Sequence, residues 1–90
     1  MQIGKETSMF KAKTNNNRNN IAGQKMRQLR LGKGVSQRVV SDGLNELGLH
    51  IDKNAVQRME AGQRFITDIE LNYIAKYFGI TIAELLGLGE

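Results

Sequence analysis

Residues 52–64 read DKNAVQRMEAGQR, and this stretch decides the fold. Asp52 is of the type that caps a helix with its side-chain oxygen, and Gly62 of the type that ends one in the left-handed conformation. The spacing therefore predicts a helix over about 53–61. Val56 and Met59 point one way on it, leaving Lys53, Asn54, Gln57, Arg58 and Glu60 to share the remaining surface. It is a short helix, polar on most of its girth. Lys and Arg donors with Asn and Gln amides on one helix are the groups that pair base edges in a major groove. On residue types alone, a solvated polar face is the commoner outcome.

Toward the N-terminus, Leu49 to Ile51 read as a connection, and Gly48 stops a helix over about 37–47 whose cap is Ser36. Val40, Leu44 and Leu47 are its apolar stripe, and Gly43 inside it points to close packing against a neighbouring helix. Before it, Ala22, Met26 and Leu29 recur at helical spacing behind Asn20, a good cap, so a helix is predicted over about 21–31, broken by Gly32 and Gly34. Residues 1–20 show no periodicity and end in an Asn-rich run that favours turns. They read as a flexible basic arm carrying Lys5, Lys11, Lys13 and Arg18. Such an arm either touches phosphate or a minor groove, or is a leader without a role of its own. Met9 and Phe10 stand out as its apolar residues and would dock, if at all, on the domain or a partner.

Toward the C-terminus, Thr67-Asp68-Ile69-Glu70 and Thr81-Ile82-Ala83-Glu84 both have the form of a reciprocal capping box. They open a fourth helix, ended by Gly79, with Leu71, Ile74, Ala75 and Phe78 as its stripe. A fifth, over about 82–86, offers Leu85 to the core. There is no strand signal. The expectation is an all-α, five-helix domain over 21–90 preceded by the arm.

Composition narrows the function. The chain has 90 residues, one domain's worth, with 40% hydrophobic residues but only 6% aromatic, so the core is aliphatic. Without Cys, and with His50 as its single His, it offers no metal-ligand set and no disulfide. No metal or other cofactor is therefore expected. No clustered nucleophile, His or carboxylate pair suggests an enzyme. No apolar run reaches membrane-spanning length, so a cytoplasmic protein is expected. The charge is uneven: residues 1–64 hold 12 Lys/Arg against 5 Asp/Glu, and residues 65–90 hold 1 against 4. Cations gathered on one side favour a polyanion, because condensed counterions are released on binding.

The segments MRQLRLGKGVSQ (26–37), AVQRMEAGQR (55–64) and IAKYFGITIAELL (74–86) together resemble the helix-turn-helix domain of the phage-repressor (Xre/Cro-like) family of bacterial transcription regulators. The likeness spans roughly residues 21–87 and implies a five-helix bundle that binds double-stranded DNA, probing the major groove with its third helix. It implies that Lys53 and Asn54 read bases from the start of that helix, with Gln57 and Arg58 one turn on. Gln37 at the start of helix 2, Arg38 beside it, and Gln63 and Arg64 past helix 3 would hold phosphates. Arg30 and Glu60 match a structural pair tying helix 1 to the end of helix 3. The chain departs from the family's pattern in the seven residues NELGLHI (45–51), where relatives have a tight turn, and in Ala61, where many carry a polar residue.

Family members read two-fold operators as dimers, which implies a homodimer and a repressor's role. With no separate oligomerisation domain, the self-contact would come from Ile69, Tyr73, Tyr77, Ile82 and Leu86. The same residues would serve the alternative, an antitoxin-like module that covers a protein partner.

Overall fold

A computed structural model describes residues 13, 14 and 16–88, and among them the regular elements are all helices. They are α1 (Ala22–Lys33), α2 (Gln37–Leu47), α3 (Lys53–Ala61), α4 (Asp68–Phe78) and α5 (Ile82–Leu85). Each start is set by a side chain. Ser36 accepts the N–H of Val39, and Asp52 accepts that of Ala55. Thr67 with Glu70, and Thr81 with Glu84, form complete capping boxes. Asn20 accepts the N–H of Gly23 at 2.8 Å, so it caps α1 although Ile21 already has helical angles.

Three boundaries differ from the sequence reading, the first being that α1 starts at Ala22 rather than at 21. α1 passes through Gly32 and stops at Gly34, whose φ of 71° is the left-handed turn. An isolated helical Gly costs only about 1 kcal/mol relative to Ala, too little to end a helix whose next residues still bond. α5 ends at Leu85 rather than at 86.

Ala22, Met26, Val40, Leu44, Val56, Met59, Ile74, Ala75 and Leu85 form one buried cluster to which all five helices contribute. Leu29, Leu71 and Phe78 pack on its margin. Leu47 does not join it. This last residue of α2 is 43% exposed, ahead of an exposed Gly48.

Two glycines let helices approach closely. Gly43 lies directly under the Tyr77 ring, where a Cβ would overlap Cε1, so α2 and α4 meet ring on backbone. Gly23 faces the Met59 carbonyl with equally little room, which brings the start of α1 onto the end of α3.

The ordered packing begins before the expected boundary at residue 20. Arg18, Asn19 and Asn20 lie against the end of α3, with Asn19 N–H donating to the Gly62 carbonyl at 2.9 Å. This is a physical consequence of the open carbonyls that any helix C-terminus presents. Lys5, Lys11, Met9 and Phe10 lie outside the described residues. No helix among the described residues is long and apolar enough to cross a membrane.

Candidate nucleic-acid interface

α3 is placed by what it buries. Ala55, Val56 and Met59 are its apolar contacts with the core, and the same rotation leaves Lys53, Asn54, Gln57 and Arg58 exposed. Across an open polar cleft of about 490 Å³, Arg38 of α2 shares a rim with Lys53 and Asn54. Among the described residues, Arg38, Lys53 and Arg58 make no ion pair. Asp42 and Asp52 also border the cleft, so its charge is mixed at that end.

The long connection between α2 and α3 is held by a residue not singled out from the sequence. Asn45 uses both hydrogens of its amide, donating to the carbonyls of Ser41 and Ile51, each at 2.7 Å. The first and last residues of the NELGLHI stretch are thereby joined. His50 Nδ1 lies 3.3 Å from Asn45 Oδ1 and is otherwise exposed. An Asn near a helix end is the available sequence signal, but its partners five and six residues on cannot be read locally.

Behind α3, Glu60 is 5% exposed and fully engaged. Arg30 Nε donates to its Oε2 at 2.8 Å, while Arg30 Nη2 and Gln37 Nε2 donate to Oε1 at 3.1 and 3.0 Å. Arg30 Nη1 also donates to the Val35 carbonyl at 3.1 Å. The hydrogen bonds that Arg30 donates to Glu60 raise the Arg30 pKa; burial opposes this and the Glu60 charge adds to it. Arg30 and Glu60 thus meet as a fork on a carboxylate.

Two of the expected phosphate-holding side chains, Gln37 and Arg64, also have partners within the protein. Gln37 spends one amide hydrogen on Glu60, which leaves its second hydrogen and the free N–H groups at the start of α2. Arg64 faces Glu70, its two terminal nitrogens 3.3 and 3.2 Å from the carboxylate oxygens, so its charge is shared inside the protein. Glu70 is fixed there because it also accepts the Thr67 N–H. Gln63 is exposed.

The five residues expected to form one partner face divide. Ile69 is 65% and Ile82 38% exposed, but Tyr77 packs on Gly43 and Tyr73 on Gly48, both against α2. The aromatic rings fill the space two small residues leave, a tertiary outcome that helical spacing alone does not show. Leu86 lines a separate apolar groove of about 420 Å³ with Ile21, Phe65, Ile66 and Leu71.

No protein-family model, characterised protein or solved structure matches this chain, so the reading of its surface rests on its own geometry and chemistry.

Proposed function

We propose that the chain is a sequence-specific DNA-binding regulator of the helix-turn-helix, Xre/Cro-like kind, a repressor that binds a palindromic site as a homodimer. α2, residues 48–52 and α3 are the helix-turn-helix unit in this reading, with α3 entering the major groove. One observation carries it. The face of α3 opposite its buried residues presents Lys53, Asn54, Gln57 and Arg58 together, with Arg38 across the cleft. Those groups supply the bidentate donors for guanine and the amides that pair adenine, on an element of the diameter the major groove admits.

Base reading falls to the four α3 residues. Phosphates fall to Arg38, Gln63, the remaining hydrogen of Gln37 and the α2 N-terminus, while Arg64 contributes only by loosening from Glu70. Selection of bound duplexes from a random pool tests the proposal. A two-fold symmetric preferred sequence is the expected result, and absence of any preferred sequence overturns it.

A second reading is favoured by exposed apolar groups away from that face. Phe65, Ile69 and Leu88 are 49%, 65% and 73% exposed, apolar groups that a partner surface would cover. In the first reading they join two copies; in the second, antitoxin-like reading they cover a different protein. Sedimentation of the purified chain separates them, since a concentration-dependent dimer lost on Ile69→Lys supports the first.

A further inference from the structure

The last turn of α3 is gripped from ahead of α1. Arg18 Nη2 donates to the Glu60 carbonyl at 2.6 Å. Asn20 Nδ2 donates to the carbonyls of Met59 at 3.0 Å and Arg64 at 2.9 Å, while its Oδ1 caps α1 through Gly23. Asn20 is 8% exposed. The Arg18 stem lies flat on Gly62, where a Cβ would stand 2.7 Å from Cζ. Arg18 is itself anchored, since its N–H donates to Thr14 Oγ1 at 3.0 Å and its carbonyl accepts the Thr14 N–H at 2.8 Å. A guanidinium at this end also meets the negative pole of the helix.

The nine residues of α3 make a rod of about 14 Å. Its middle is pinned in the core by Val56, which is fully buried. Movement of the gripped end is therefore repeated, in the opposite sense, at Lys53 and Asn54. Hydrogen bonds to base edges tolerate only a few tenths of an ångström, about the difference between 2.9 and 3.2 Å. We infer that Arg18 and Asn20 are positioning residues for base reading, setting the tilt at which α3 presents Lys53 and Asn54. This rests on the DNA-binding function proposed above.

The test compares wild type, Arg18→Ala and Asn20→Ser on the selected duplex and on random duplex, over a range of salt and well below each variant's melting temperature. Ser at position 20 can still cap α1 but lacks the amide that reaches Met59 and Arg64. Arg18→Ala leaves that cap untouched and supplies the answer should Asn20→Ser fold poorly. The expected result is about a tenfold loss of preference, the scale of one impaired base contact. Random-duplex affinity and its salt slope should not move. Equal loss on both duplexes, with a slope reduced by about one unit per half-site, would identify Arg18 as a phosphate contact and overturn the proposal. Unchanged preference in both variants overturns it too, assigning the grip to stability alone. Asn54→Ala is the control: if it keeps full preference, α3 does not read bases, and the failure lies in the functional reading beneath.

Discussion

Glu60 shows how much one side chain can hold. Its carboxylate is buried and accepts three hydrogen bonds from two residues, Arg30 and Gln37. Arg30→Ala and Glu60→Ala are each expected to cost about 3 kcal/mol, because each strands the other charge in a poorly solvated place. The double variant should lose less than the sum, and a thermal or urea double-mutant cycle measures the difference. Additive losses would mean the pair is not coupled. The raised pKa of Arg30 has a definite sign: its contribution is fully present below the unfolded-state value and is lost only as pH rises through the still higher folded one. Titration of Arg30 itself should therefore leave stability flat through the neutral range. On DNA, Asn54→Ala is expected to cost about 1–3 kcal/mol on the preferred site and little on random duplex. Arg38→Ala should weaken both alike. Arg64→Ala should reduce the salt slope less than Arg38→Ala does, since Glu70 already holds its guanidinium. Binding measured on both duplexes at several salt concentrations decides each comparison.

At the scale of the helix, two glycines are expected to respond oppositely to alanine. Gly43→Ala should lower stability by about 1–3 kcal/mol, the cost of forcing an extra methyl into a filled contact, here with the Tyr77 ring. Gly32→Ala should raise it by up to about 1 kcal/mol, because a Cβ there meets nothing within 4 Å and Ala is the better helix former. Melting curves of the two variants check both signs. The contrast also marks the limit of what residue order reveals. Gly43 could be read as a close contact because it interrupts an otherwise strong helical pattern. Gly32 has the look of a stop in the sequence, yet whether a glycine ends a helix depends on its φ and on whether the following N–H groups keep their partners. The caps at Ser36, Asp52, Thr67 and Thr81 were legible because each acts within three residues. So was the division of α3 into buried and exposed sides, which follows from its period. The Arg18 and Asn20 bonds to α3 span about forty residues and were not legible, nor was the turning of Tyr73 and Tyr77 toward α2. Those depend on which helices meet, which local periodicity leaves open.

For the molecule as a whole, the unequal charge of its two parts should appear in association with DNA. The slope of log K against log salt is expected to be several units negative for a dimer, near −0.9 for each phosphate neutralised. A flat dependence would remove the electrostatic part of the proposal.

The seating of Tyr77 on Gly43 has an optical meaning as well. The chain has two tyrosines and no tryptophan, so its phenol emission comes from Tyr73 and Tyr77 alone. Both rings lie along the contact of α4 with α2, one against Gly48 and the other beneath Lys33, whose Nζ is 5.6 Å from the Tyr77 centroid. Ultraviolet emission is thus a built-in gauge of that single seam, with no competing chromophore to swamp it. Opening of the seam should change the signal before global melting wherever the two events are separable. The same light should stay constant when α3 alone is perturbed by Asn54→Ala.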